Sequence, residues 1–317
     1  MNITDRRSFI IGIKSTNLSI NEKKFLKNFK PWGVILFSRN IKSLKQTRKL
    51  TSNIRKIFQD KNYPILLDQE GGRVNRLSRF FNADSLTSKY FGDLFEKDQY
   101  KFHNYYKIFI NKTSDLLKKI GVNINTYPVL DLRITNSSNV IGDRSFSNKV
   151  DIVNKVGDFS IKSFHGNNIG TVIKHIPGHG LAKVDSHKLT PAVNAKLNYL
   201  KKNDFSVFSN KKSLLAMTAH IVYTDIDKLN TATHSTKVIR LIRKNIRFNN
   251  IIISDDISMK SLKYSIKENA LKAFNAGCNL VLHCNGNYKE MLIVAKNSPL
   301  VNGFINKKTS QLYKILS

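Results

Sequence analysis

The segment Lys174-His175-Ile176-Pro177-Gly178-His179-Gly180, followed by Asp185-Ser186-His187, brings a lysine, three histidines and a carboxylate together between positions 174 and 187. It emerges from Thr171-Val172-Ile173, an apolar run that reads as a buried strand, and breaks at Pro177-Gly178. A strand that ends in ionisable groups and then turns sharply delivers those groups to a cleft; the plainer reading is a strand end with solvated charges. Asp185 and His187 stand two apart on a loop. That spacing lets a carboxylate bond one imidazole nitrogen and raise the basicity of the other, which is acid/base chemistry. Taken alone, the pair reads equally well as a solvated loop. Asp255 follows Ile251-Ile252-Ile253. A strand end holds such a carboxylate rigidly, and flanking cations keep it ionised, as a glycosidase nucleophile requires. The competing role is helix capping by Ser254, Asp255 or Asp256.

Elements must position these groups. Apolar runs rich in β-branched residues recur at 9–13, 33–37, 64–67, 122–130, 171–176, 213–219, 250–253 and 279–282. Segments of helical period fall at 21–29, 44–58, 100–117, 150–164, 197–208, 236–246 and 266–276, with a last helix in 300–317. Continuous apolar strands alternating with helices predict a parallel sheet covered on both faces. Eight of them predict an α/β chain folded as one (β/α)8 TIM barrel over residues 1–317. An open doubly wound sheet that binds a dinucleotide calls for a glycine-rich loop after the first strand, and Gly12-Ile13-Lys14 is not one.

A barrel of this type keeps its site at the C-terminal strand ends. The third strand end gives Asp68-Gln69-Glu70-Gly71-Gly72-Arg73 with Arg76 behind, the fourth Asp131, and the fifth Lys174, His175 and His179. The sixth gives His220, the seventh Ser254-Asp255-Asp256, and the eighth His283 and Asn285. Such a set of polar strand ends favours a site over solvation alone. A zinc site from Asp68, His175, His220 and Asp255 is a rival, but no pair has the short fixed spacing that makes a zinc motif, so no metal and no cofactor is expected.

The net charge is +31, from 53 Lys and Arg against 22 Asp and Glu. A nucleic-acid-binding protein is therefore the non-enzyme alternative. The basic residues are spread along the chain without a clustered motif, so solvated charge from a Lys/Asn/Ile-rich composition is preferred and no specific nucleic-acid partner is expected. Cys278 and Cys284 flank Leu280-Val281-Leu282, too far apart along a strand to bridge, and buried free thiols suit a reducing compartment. No apolar run approaches a membrane span or a signal segment. The expectation is a cytoplasmic protein, a monomer, without a membrane partner.

The segments Gly33-Val34-Ile35-Leu36-Phe37-Ser38-Arg39-Asn40, Asp68-Gln69-Glu70-Gly71-Gly72-Arg73-Val74, Pro128-Val129-Leu130-Asp131, Val140-Ile141-Gly142-Asp143-Arg144-Ser145-Phe146, Lys174 through Gly180 with Asp185-Ser186-His187, and Ser254-Asp255-Asp256-Ile257-Ser258-Met259 run in order over nearly the whole chain. Together they resemble the bacterial β-N-acetylhexosaminidases of glycoside hydrolase family 3, enzymes of cell-wall recycling. The resemblance implies a retaining exo-β-N-acetylglucosaminidase that releases N-acetylglucosamine from peptidoglycan-derived anhydro-muropeptides. It implies Asp255 as nucleophile and His187 as general acid/base oriented by Asp185. It implies Asp68, Arg76, Arg144, Lys174 and His175 as sugar-binding residues. Asp143 stands where the family commonly has Glu, beside Arg144. The enzymatic alternative is a phosphorylase with the same machinery, because a histidine acid/base repels phosphate less than a glutamate does.

Overall fold

The apolar runs become strands because both of their faces are covered. A computed structural model describes residues 3–134, 139–186 and 189–317. Its parallel strands β1 (Arg7–Gly12), β2 (Pro31–Leu36), β3 (Ile65–Leu67), β4 (Ile124–Asn125), β5 (Gly170–Ile176), β6 (Leu215–Thr218), β7 (Ile251–Asp256) and β8 (Leu280–His283) close into one barrel in sequence order, β8 pairing with β1. This is the expected (β/α)8 architecture.

Side chains alternate along the strands. Phe9 and Ile11 pack outward against helices, while Ile10 points inward with Leu66, Ile124, Leu215, Ile251 and Leu280. The outer ring is α1 (Ile20–Phe29), α2 (Leu44–Phe58), α3 (Ser88–Lys97), α4 (Gln99–Ile120), α5 (Val150–Gly166), α6 (Leu197–Lys202), α7 (Thr236–Leu241), α8 (Ile266–Ala276) and α9 (Tyr288–Asn297). The last helix, α10 (Gly303–Leu316), brings Ile305 and Leu312 to the inner cluster, and its Thr309 Oγ1 accepts a hydrogen bond from Trp32 Nε1 at 2.9 Å. Each aliphatic side chain buried there contributes about 1.5–3 kcal/mol. The N-terminal mouth is thereby plugged, and the opposite mouth is left for chemistry.

Several expected boundaries change for local reasons. The 197–208 segment divides: α6 ends at Lys202 and a separate 3₁₀ turn covers Ser206–Phe208. The 236–246 segment widens from α7 into a π turn over Ile242–Ile246. In 122–130 only Ile124–Asn125 forms a regular strand; the ladder is interrupted near Pro128, which has no N–H to donate, and Val129 rejoins β5 through an isolated parallel bridge to Lys174. Helices α3 and α9 were not expected. The cap of α8 is Ser265, whose hydroxyl accepts from Glu268 N, while Ser254 Oγ accepts from Leu282 N at 3.0 Å. Residues 254–256 therefore do not cap a helix.

Two ladders slip at the C-terminal mouth. β5 against β6 shifts between Lys174 and Ile176, and β7 against β8 shifts between Ile253 and Asp256. Such irregularities re-aim side chains next to active sites. Among the described residues, no helix is long and apolar enough to cross a membrane.

Candidate active site

The two slipped segments deliver their side chains to one cavity of about 160 Å³ at the C-terminal mouth, lined by Asp68, Glu70, Arg76, Arg144, Lys174, His175 and Asp255. Ile35, Met217, Leu282 and Cys284 form its apolar wall. Of the expected site residues, Asp255, Asp68, Arg76, Arg144, Lys174 and His175 are thus brought together. Asp185 stands farther along the loop after β5, outside the described lining of this cavity. His187 lies outside the described residues.

Lys174 is the hub. Its Nζ lies 2.9 Å from Asp68 Oδ1 and 2.7 Å from Glu70 Oε1, with the side chain 3% exposed. Arg144 binds Glu70 through two bonds, Nε to Oε2 at 2.8 Å and Nη2 to Oε1 at 2.9 Å. Asp68 also accepts from Thr126 Oγ1 and faces Arg76 Nη2 at 3.7 Å. Burial by itself raises both carboxyls. At Asp68 the charges of Lys174 and Arg76 outweigh it and hold the group well below the usual carboxylate range. At Glu70 Arg144 and Lys174 do the same, to about 2. Burial likewise disfavours the Lys174 ammonium, and Asp68 and Glu70 reverse the sign, so its pKa is raised. The cluster is therefore fully ionised at neutral pH and held rigid by charge-assisted bonds.

Asp131 supports this wall from behind. It is fully buried, its Oδ2 lies 2.6 Å from His175 Nδ1, and its Oδ1 accepts from His179 N at 2.7 Å. That bond places a proton on His175 Nδ1 and aims the other edge of the ring away from Asp131. Burial, followed by the charge of His175, lowers the His179 pKa to about 4, so this ring is neutral. Its Nε2 lies 3.1 Å from Ser186 Oγ. A continuous set of contacts thus ties Ser186, next to Asp185, to the cavity wall. Gly178, at φ +144°, makes the turn, and a Cβ there would come within 2.8 Å of Asp204 Cβ.

The neighbouring carboxylates separate by role. Asp256 is consumed by structure: it accepts from Ser258 N at 3.0 Å and from Cys284 N at 3.2 Å. Asp255 lines the cavity, and its Oδ1 accepts from Asp256 N at 2.7 Å, which fixes the carboxylate plane.

Not every polar strand end converges. His283 Nε2 pairs with Glu290 at 2.7 Å, and Asn285 donates to the same carboxylate at 2.7 Å. The eighth strand instead contributes Leu282 and Cys284. His220 has both ring nitrogens engaged, by Thr233 Oγ1 at 2.7 Å and Asp256 O at 3.0 Å. Among the described residues, no group of three or more His, Cys, Asp and Glu could hold a metal ion. Asp143 pairs with Arg73 at 3.1 Å on the exposed rim, so the orientation of Arg144 is set by Glu70 and not by its chain neighbour. Glu70 and Asp131 were expected only as members of the set of polar strand ends, with no role in binding or catalysis. Glu70 had a signal, since it stands two positions after Asp68 and shares its side of an extended segment.

Comparison with known proteins adds to this geometry. The Glycosyl hydrolase family 3 N terminal domain profile matches residues 9–315. A beta-hexosaminidase of Haemophilus ducreyi is 34% identical over 288 residues, covering 87% of this chain and 80% of that protein. The crystal structure of native NagZ from Neisseria gonorrhoeae superposes with a TM-score of 0.88 at 27% identity, covering 98% of this chain and 91% of that one. The same protein in complex with N-trifluoroacetyl-D-glucosamine gives a TM-score of 0.85 over the same shares at 27% identity.

Proposed function

This chain belongs to glycosyl hydrolase family 3 and is a glycoside hydrolase, and from that footing we propose that it is a retaining exo-β-N-acetylglucosaminidase. Its substrates are peptidoglycan-derived anhydro-muropeptides, and it acts as a cytoplasmic monomer. The carrying observation is the cavity wall: three carboxylates (Asp68, Glu70 and Asp255) stand against three cations (Arg76, Arg144 and Lys174). That balance suits a neutral polyhydroxy ring, which needs donors and acceptors in equal measure and brings no charge. The gonococcal complex with an N-acylated glucosamine supports the choice of sugar.

In the proposed reaction, Asp255 attacks the anomeric carbon and forms a sugar ester while the glycosidic C–O bond breaks. His187, oriented by Asp185, gives its proton to the departing oxygen. A water then attacks the anomeric carbon, gives its proton to His187 and displaces the Asp255 carboxylate, which releases the sugar with configuration retained. Asp68, Arg76, Arg144, Lys174 and His175 hold the ring. Their mutual bonds mean that little reorganisation is needed when the sugar arrives. The test is turnover of an aryl N-acetyl-β-glucosaminide against the plain aryl β-glucoside. A buried site built to bond the acetamido group should reject the analogue that lacks it; equal rates on the two contradict the assignment.

A further inference from the structure

The face of the barrel opposite the catalytic mouth carries a second polar cavity, of about 390 Å³. Its wall includes Arg48, Arg55, Lys61 and Lys118, and no Asp or Glu among the described residues. Arg48 and Arg55 come from one side of α2, two helical turns apart, Lys61 from the loop after it, and Lys118 from the last turn of α4. Asp60, the nearby acid, is engaged elsewhere, by Arg6 Nη2 at 2.5 Å and Tyr313 OH at 2.5 Å.

Two ordinary explanations for these cations fall short. The first is helix-end neutralisation: α2, α4, α5 and α10 all end around this cavity, and Arg48 Nη1 donates to Lys118 O at 3.1 Å. Each helix end offsets about half a unit charge, so four ends offset about two of the four. Asn168 Nδ2 donates to the main-chain oxygen of Ser317 at 2.5 Å on the same rim, and even a full carboxylate there leaves a surplus of about one positive charge. The second is solvation. It accounts for the exposed Arg48, Lys61 and Lys118 but not for Arg55. The Arg55 Nε is buried without a hydrogen-bond partner, and among the described residues the guanidinium makes no ion pair. Gly121 lies close against it, and a Cβ at that position would lie 3.0 Å from Arg55 Nη1. Burial, then the like charge of Arg48, lowers its pKa to about 10 against an opposing pull from Asp60, so it stays protonated although largely desolvated. A buried donor in that condition is costly unless something satisfies it.

We propose that this cavity is a binding site for a small anion carrying two or more phosphate groups, held by the Arg48 and Arg55 guanidiniums with Lys61 and Lys118 closing the rim. Guanidinium forks match phosphate oxygens in geometry, and two guanidiniums with two ammoniums offer more donors than a single carboxylate can take. The site is distinct from the sugar cavity, which lies at the other end of the barrel and has balanced charge.

The test uses the full chain with pyrophosphate as probe, in titration calorimetry and thermal unfolding at constant ionic strength set with NaCl. Pyrophosphate should bind and raise Tm, with citrate at least tenfold weaker. Lys61→Ala, on an exposed loop, should weaken pyrophosphate several-fold, and Arg48→Gln with Arg55→Gln should weaken it at least tenfold. All variants should keep aryl-glycoside turnover. Arg55→Gln alone should leave Tm in plain buffer unchanged or higher, whereas a merely structural arginine would lose stability. Absence of a Tm shift beyond the NaCl control, equal affinity for citrate, or unchanged affinity in Lys61→Ala and the double variant would each overturn the proposal. Displacement of pyrophosphate by duplex DNA with a steep salt dependence would replace the small-anion ligand with a nucleic acid.

Discussion

Arg144 grips Glu70 with both Nε and Nη2, at 2.8 and 2.9 Å, and Glu70 in turn touches Lys174 at 2.7 Å. One carboxylate therefore sets the position of two cavity cations. Glu70→Gln removes a charge and presents an amide N–H₂ to one of those cations. Removing one partner of a buried ion pair costs about 3–5 kcal/mol. The variant should unfold at lower urea by that order, and KM for the aryl N-acetylglucosaminide should rise. Unchanged stability together with unchanged KM would remove Glu70 from this account.

The same cluster sets the acid limit of stability. The Glu70 pKa falls from 4.5 to about 2 on folding. A depressed carboxyl contributes stability that is fully present above its unfolded pKa and lost as pH falls through the folded one. Unfolding free energy measured by circular dichroism should therefore drop between pH ~4.5 and pH ~2, and less steeply in Glu70→Gln. Parallel profiles for the two proteins would contradict the assignment.

Asp204 works with the opposite sign. It is 2% exposed, and its Oδ2 has no hydrogen-bond partner. Burial, then the charge of Asp131, raises its pKa from 3.8 to about 7. The folded state binds the proton more tightly than the unfolded state, so stability falls as pH rises from about 4 to about 7. Asp204→Asn, neutral and nearly isosteric, should raise Tm at pH 8 and leave it little changed at pH 4. Equal shifts at both pH values would mean that the effect is one of packing.

Much of this was legible in the residues, for physical reasons. Buried parallel strands read as unbroken β-branched runs, and all eight were visible. The second half of the fourth run is only partly a strand: Val129 and Leu130 are as apolar and buried as strand residues, but a single isolated bridge from Val129 to Lys174 is all that continues the ladder there. Asp255 was legible as a strand-end carboxylate. Its distinction from Asp256 rested on the family resemblance alone, since the bond from Cys284 N to Asp256 depends on β8. Asp131 was read only as a strand end because its partners, the N–H groups of His175 and His179, are 44 and 48 residues away in the chain.

For the proposed acid/base the leaving group is the probe. His187→Ala should slow aryl glycosides with poor leaving groups far more than those with good ones, because a good leaving group departs without a proton. Asp185→Asn should act in the same direction and less. A single common factor across all substrates would assign His187 to binding.

The nucleophile carries the mechanism. Asp255→Asn should abolish turnover, by at least the ~100-fold to ~10,000-fold that acid/base groups supply, while leaving the fold and sugar binding nearly intact. Asp256→Asn should instead act through stability, since its carboxylate is committed to Ser258 and Cys284 N.

The most direct measurement is peptide mass mapping after reaction with a fluorinated, slowly released N-acetylglucosaminide. The account predicts one added sugar on the peptide spanning residues 251–259, located on Asp255 and absent in Asp255→Asn. A label on Asp256, or full activity in Asp255→Asn, would contradict it.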